Sequence, residues 1–309
     1  MHLFTGSSHQ NLAEHLAREL HVPLGKVALR TFSCGERYVR FEESIRGNAV
    51  YLLQTGSRTP NEDIMELLLL CQAAKLSFAA SVHVIIPHFP YARQDRITEP
   101  REPISAKLIA HLLEESGADH VITLDLHSDQ IQGFFQIPVD AIHARTIFAE
   151  YFRTKNLPFP VVISPDVGGA KRAKKFADSL SAPLAILHKN RPGTSQADVH
   201  HVVGDVAGKT CIIFDDIVDT AGTLSAAVAA LRKHGALPDV YAAATHAVLS
   251  GDDPKRLREA DFKEIVVTDS IPPPSSQPEN LTFLSIAPLL AEVIRHIESH
   301  QSVTEIYGQ

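Results

Sequence analysis

The sequence predicts an α/β protein of two domains, each a mostly parallel sheet flanked by helices. Apolar runs of strand length alternate with helical patterns through nearly the whole chain, the order that builds parallel sheets with helical crossovers. A chain of 309 residues that is 44% hydrophobic can bury two ordinary cores. A βα unit also occurs twice. Helix 104–116 runs through Gly117-Ala118 into a strand ending at His127, and helix 224–233 runs through Gly235-Ala236 into a strand ending at His246. The second copy is one residue longer after the glycine; duplication and coincidence both account for so common a unit.

In chain order the expected strands are 27–32, 50–54, 82–87, 121–126, 161–164, 184–188, 211–214, 240–245 and 265–268, each a short apolar run. Helical patterns between them include 61–75, 104–116, 169–180, 224–233 and 286–299. The segment 155–160, with two prolines, precedes a fresh strand and marks the neighbourhood of a junction. The expected domains are 1–145 and 146–309. Pro272-Pro273-Pro274-Ser275-Ser276 reads as an exposed loop without chemistry.

A net charge of −7 argues against general binding to nucleic acid or anionic membranes. Cys34, Cys71 and Cys211 lie far apart, with no disulfide or zinc spacing, and two fall in apolar segments, as buried thiols of a reducing cytosol do. The N-terminus lacks a basic stretch followed by an apolar core, and no apolar run reaches membrane length. The expectation is a soluble, cytoplasmic protein. No Gly-x-x-x-x-Gly-Lys-Ser/Thr sequence occurs and no dinucleotide fingerprint follows a strand, which argues against those two nucleotide-binding designs.

The run from Cys211 to Thr223 is the most informative. Cys211-Ile212-Ile213-Phe214 reads as a buried strand, and Asp215-Asp216 ends it. Adjacent strand residues point to opposite faces, so the two carboxylates cannot both be buried cheaply and belong at the strand's carboxyl edge, where open α/β sheets bind ligands. Asp219, Thr220, Ala221, Gly222 and Thr223 then lead to a helix from Leu224, offering backbone N–H groups, close approach at Gly222 and two hydroxyls. Carboxylates for sugar hydroxyls beside N–H groups for a phosphate describe a pocket for a phosphorylated sugar. A turn capped by Asp219 or Thr223 is the plainer alternative.

Four further segments carry candidate chemistry. Asp125-Leu126-His127 closes a strand, and alternation puts Asp125 and His127 on one face, suited to a metal or to proton and phosphate chemistry. Asp166, in Ser164-Pro165-Asp166-Val167-Gly168-Gly169, is placed to hold a hydrated Mg²⁺, with a basic helix following that meets a diphosphate or simply faces solvent. Arg93 offers a bidentate phosphate contact and Gln94 a nucleotide hydrogen bond, or both form a surface turn. Lys189 and Arg191 lead into a polar stretch reaching about Val202, either a cationic active-site lid or a disordered loop.

Taken in order, these segments resemble the ribose-phosphate diphosphokinase (phosphoribosyl diphosphate synthetase) family over nearly the entire chain. The matching pieces are 32–36, 46–47, 61–70, 90–107, 125–135, 164–172, 189–191, 204–206 and 215–223. The resemblance implies two type I phosphoribosyltransferase-like domains and transfer of the diphosphoryl group of ATP to the anomeric hydroxyl of ribose 5-phosphate. It implies ribose 5-phosphate binding by Arg191, Asp215, Asp219, Thr220, Ala221, Gly222 and Thr223, and ATP binding by Phe32, Cys34, Gly35, Glu36, Arg93 and Gln94. Lys189 and Arg191 are the implied catalytic cations, His127 and Asp166 the implied Mg²⁺ residues, and a homo-oligomer, hexameric or dimer-based, the implied assembly. Many relatives carry Asn or Asp where Cys34 stands, so base selectivity is expected to be relaxed or read by the backbone. A phosphoribosyltransferase would share the 215–223 pocket without needing Arg93-Gln94, and a regulatory homologue would have lost its catalytic residues.

Overall fold

A computed structural model describes residues 1–190, 199–219, 221–250, 261–274, 279–304 and 306; for 189, 190, 199, 200 and 221–225 it describes the backbone alone. The chain forms two compact units: Met1–His143 with Ser270–Pro272 and Ser285–Gln309, and Ala144–Asp269 with Pro273–Leu284.

The first unit holds a parallel sheet of β1 (His2–Thr5), β4 (Ala49–Leu53), β5 (Ser81–Ile85), β6 (His120–Leu124) and β7 (Val139–Ile142), adjacent in that order. A separate hairpin joins β2 (Val27–Thr31) to β3 (Arg37–Phe41). Strand alternation sorts the core. Val50, Leu52, Val82, Val84 and Val121 pack with Ile64, Leu67, Leu70, Cys71 and Ala74 of α2 (Pro60–Leu76) and with Ala106, Ile109, Ala110 and Leu113 of α3 (Ser105–Ser116). The alternate residues Tyr51, Leu53, Ile85 and Ile122 are buried as well, so these strands read as continuous apolar runs. Helix α1 (Gln10–Leu20) is joined by the last helix, with Arg295 donating to the Glu19 carbonyl (2.9 Å) and Tyr51 to Glu298 (2.9 Å).

The second unit's sheet runs β10 (Val199–Val203), β9 (Leu184–Asn190), β8 (Pro160–Ser164), β11 (Thr210–Val218), β12 (Tyr241–Ala247), β13 (Glu264–Thr268) and β14 (Leu281–Leu284); β10 alone is antiparallel. Helices α4 (Arg145–Thr154) and α5 (Ala170–Ser179) bring Phe148, Phe152 and Phe176 over Phe214, with Phe176 stacked on it at 4.2 Å. On the other face Cys211, Ile213, Ala242, Ala244, Ile265 and Val267 pack with Ala227, Val228 and Leu231 of α6 (Ala221–Lys233).

Several expectations are corrected. β1, β3, β7, β10 and β14 were not anticipated; all are short, and Arg37-Tyr38-Val39-Arg40-Phe41 carries two arginines as well. The junction falls at 143/144 rather than 145/146, and 155–160 lies inside the second unit. The C-terminal helix α7 (Ala287–Glu298) sits with the first unit, not the second, because its apolar face finds its cover there. Pro273 is exposed but Pro274 is buried. The stretch after Leu184 is not one irregular loop: β9 extends to Asn190 and pairs with β10, Lys189 opposite His200. Among the described residues no helix is long and apolar enough to cross a membrane.

Candidate active site

In the second unit the strand order turns back between β8 and β11, which are neighbours in space but not in sequence. Loops that leave two such strands in opposite directions open a crevice at the sheet's carboxyl edge. Pairing of β8 with β11 stops at Ile163 opposite Ile213, whereas β11 continues against β12 as far as Val218. Asp215 and Asp216 therefore stand inside a strand, just past the point where β8 leaves it, rather than after the strand's end.

Asp216 is 3% exposed and Asp215 half-buried. What offsets this burial is Arg172, in the first turn of α5, whose Nη1 donates to Asp216 Oδ1 (2.6 Å) and Asp215 Oδ1 (3.1 Å). The Asp216 backbone N–H also donates to Asp215 Oδ1 (2.9 Å). Burial first, and then the neighbouring Asp216 charge, push the Asp215 carboxyl well above the usual carboxylate range, while Arg172 opposes them. Arg172, for which the sequence left a diphosphate-facing helix and a solvated face both open, is the residue not linked beforehand to the acidic pair. Lys174, by contrast, pairs with exposed Asp178 on that face.

The loop after β8 is built around Asp166. Its Oδ1 accepts from the Gly169 N–H (2.7 Å), and Ser164 donates to its carbonyl (2.7 Å). A side-chain carbon on Gly169 would lie 3.1 Å from Ser164 Oγ, 3.6 Å from Asp166 Oδ1 and 3.9 Å from Asp215 Oδ1. The two carboxylates thus flank the same bare stretch of backbone. Asp219 accepts from Ser250 (2.6 Å). Helix α6 starts at Ala221 rather than Leu224, which puts residues 221–223 in its first turn, where N–H groups lack helical partners. Arg191 and Thr220 lie outside the described residues, as do the side chains of Lys189, Ala221, Gly222 and Thr223.

In the first unit the strand alternation expected to put Asp125 and His127 on one face does not reach them. β6 ends at Leu124, and Asp125 adopts φ 33°, which breaks the strand alternation that would place the two side chains together. Asp125 turns inward, its Oδ1 2.9 Å from His143 Nδ1, and His127 is exposed. The other expected segments occupy turns. Phe32, Cys34, Gly35 and Glu36 form the exposed tip of the β2–β3 hairpin, closed by Phe32 N–H to Glu36 O (2.9 Å) and Gly35 N–H to Phe32 O (2.8 Å). Arg93 and Gln94 are exposed in the segment after β5, and the Gln94 side-chain oxygen accepts from Ser105 at the start of α3 (2.6 Å). Among the described residues, no group of three or more His, Cys, Asp and Glu forms a metal cage.

Comparison with known proteins shows the family. A family model for the N-terminal domain of ribose phosphate pyrophosphokinase matches residues 1–117, and one for the phosphoribosyl synthetase-associated domain matches 194–308. The ribose-phosphate pyrophosphokinase of Halalkalibacterium halodurans is 48% identical over 306 residues, covering 99% of this chain and 96% of the relative. That of Bacillus subtilis is 47% identical over 307 residues, with the same coverage. The crystal structure of phosphoribosylpyrophosphate synthetase from Mycobacterium smegmatis matches with a TM-score of 0.91 at 44% identity, covering 97% of this chain and 99% of that one.

Proposed function

Because the chain belongs to the ribose-phosphate pyrophosphokinase family, we propose how its residues divide the labour of its reaction. That reaction transfers the diphosphoryl group of ATP to the anomeric hydroxyl of ribose 5-phosphate, giving 5-phosphoribosyl 1-diphosphate and AMP. The second unit takes ribose 5-phosphate. Asp215 accepts hydrogen bonds from the ribose hydroxyls, and the backbone N–H groups and hydroxyls of Asp219, Thr220, Ala221, Gly222 and Thr223 hold the 5-phosphate at the start of α6. The observation that carries this reading is the pair of carboxylates on β11 beside the reversal of strand order, three residues ahead of that helix-opening segment.

The first unit takes ATP. Arg93 binds the phosphates, and Gln94 with Phe32, Cys34, Gly35 and Glu36 reads the nucleoside, with backbone groups of the hairpin tip standing in for a side chain at Cys34. Attack at the β-phosphorus must overcome the repulsion of the triphosphate, and Lys189 and Arg191 stabilise the charge that builds during in-line transfer.

A divalent cation fits Asp166. Its carboxylate is a hard oxygen donor already oriented by Gly169, and Mg²⁺ is commonly held by one or two carboxylates together with substrate phosphates. His127, exposed after β6, is the second candidate, though its nitrogen suits Mg²⁺ less well. When bound, the ion neutralises phosphate charge. Exposed Met65 on α2 and Leu108 and Leu112 on α3 support a homo-oligomer that covers them, hexameric or dimer-based. Buried Cys71 and Cys211 as free thiols support a cytoplasmic location.

The test is incubation of the purified protein with ATP, ribose 5-phosphate and Mg²⁺. AMP and 5-phosphoribosyl 1-diphosphate in equal amounts are expected. ADP instead would indicate transfer of a single phosphoryl group, and no AMP here but diphosphate release from supplied 5-phosphoribosyl 1-diphosphate and a base would indicate a phosphoribosyltransferase.

A further inference from the structure

Arg172 spans 43 residues of sequence to reach Asp215 and 44 to reach Asp216. A single nitrogen, Nη1, serves both carboxylates, one proton to each, so its bonds fix where the two Oδ1 atoms lie. Asp215 Oδ1 is held twice, by Arg172 and by the Asp216 N–H, which sets the plane of the carboxyl group and hence the direction its other oxygen faces. Arg172 is itself placed by the loop after β8. Asp166 ties down the Gly169 N–H at the start of α5, and Arg172 follows one turn later. Asp166, α5, Arg172 and Asp215 therefore form one mechanical chain at the strand reversal.

We propose that Arg172 is a positioning residue for the sugar, holding the Asp215 carboxylate in the orientation that receives the ribose hydroxyls. This rests on the assignment of Asp215 to ribose 5-phosphate. The alternative is that Arg172 serves only to make the burial of Asp216 tolerable, which would leave substrate binding indifferent to it. The two roles separate because Asp216 can be neutralised independently of Asp215.

Steady-state kinetics on the full chain read the difference. Arg172→Gln should raise the KM for ribose 5-phosphate about tenfold to a hundredfold, the worth of a charge-assisted hydrogen bond, with kcat much less affected. The KM for ATP should move less than about twofold, since the removed contact lies on the sugar side. Arg172→Lys should recover part of the loss. An unchanged KM for ribose 5-phosphate, or equal rises in both KM values, overturns the proposal. Arg172→Gln combined with Asp216→Asn removes the buried charge that loses its guanidinium in the single variant. A KM for ribose 5-phosphate that stays raised in the double variant supports the positioning role, and a return to the wild-type value overturns it. Calorimetric titration of the wild type and the double variant with ribose 5-phosphate needs no turnover. Wild type that binds the sugar but makes no AMP would count against the assigned reaction alone, whereas equal affinities would count against Arg172.

Discussion

In the first unit successive parallel strands follow one another across the sheet, β4 to β5 to β6 to β7, whereas in the second the order turns back between β8 and β11. Loops that step in one direction can be stitched together. Gly56 N–H donates to His88 O (3.0 Å), His88 N–H to Thr55 Oγ1 (3.0 Å) and Leu124 N–H to Pro87 O (3.1 Å). The residues assigned to the nucleotide are left on exposed turns. At the reversal, by contrast, the loops part, and Asp215, assigned to the sugar, stands with Asp216 beside the Arg172 guanidinium. The residues assigned to the nucleotide thus lie on exposed turns, whereas Asp215 is held in place by a guanidinium. The local device shared by both halves is a helix closed by a left-handed glycine, Gly117 (φ 106°) after α3 and Gly235 (φ 83°) after α6. The following alanine reaches back in each case, Ala118 N–H to Leu113 O and Ala236 N–H to Leu231 O, both 3.1 Å.

The contrast can be broken or sharpened by experiment. The largest effect is expected from Lys189→Ala on β9 of the second unit. Turnover should fall by about three orders of magnitude with little change in ribose 5-phosphate binding, and near-normal turnover would remove Lys189 from the chemistry.

Acid should act on the two units with opposite sign. In the first, His83 contacts Ser81 (2.9 Å) and His120 (3.1 Å), His120 contacts Asp140 (3.0 Å), and Tyr51 stacks on His83. Burial, reinforced by His120, lowers His83 from its ordinary 6.5 to about 4. The folded state then binds fewer protons than the unfolded one, so this contribution is fully present above 6.5 and is lost as pH falls toward 4. The expected loss is about 1–2 kcal/mol once the water reaching the ring is allowed for. Asp215, raised in the folded state, costs stability when charged, and acid relieves that cost. Amide exchange resolved by segment should show protection falling in 81–85 and 120–124 but not in 211–214, and His83→Gln should flatten the response. Equal losses in both units would refute the contrast.

The paired glycines come next. Gly235→Ala should cost about 1 kcal/mol, the penalty of a positive φ, because the added carbon meets Ala207 only at an ordinary 3.6 Å. Gly117→Ala should cost more, since its carbon would also run into the Lys75 side chain, which is tied to Asp119 (2.6 Å). Thermal or urea unfolding ranks the two, and a larger loss for Gly235→Ala would contradict it. The smallest effect is expected at the hairpin tip: Cys34→Ala should change the KM for ATP by less than about twofold, a thiol being a weak partner. Measuring that variant with ATP, GTP and CTP tests backbone reading of the base, and a large loss with ATP would place the thiol itself in contact.

Much of this was legible in the residues. Cys211 to Phe214 read as a buried strand because four apolar residues in a row leave little else, and the acidic pair after it pointed to a ligand. The alternation expected to carry Asp125 and His127 on one face stops at Leu124, because one residue at positive φ cancels strand periodicity. The hairpin arm Arg37–Phe41 was missed because two arginines among five residues lower its apolar content, although β2 pairs with it residue for residue.

From the sequence alone came the alternation of strands and helices, the small-residue turns and the acidic and basic segments at strand ends, because these depend on near neighbours along the chain. Tertiary structure alone decided that the strand order reverses beside Asp215, that Arg172 rather than solvent meets the acidic pair, and that α7 joins the first unit. Whether a buried charge is tolerated depends on a partner tens of residues away, and only the packed chain brings that partner within hydrogen-bonding reach.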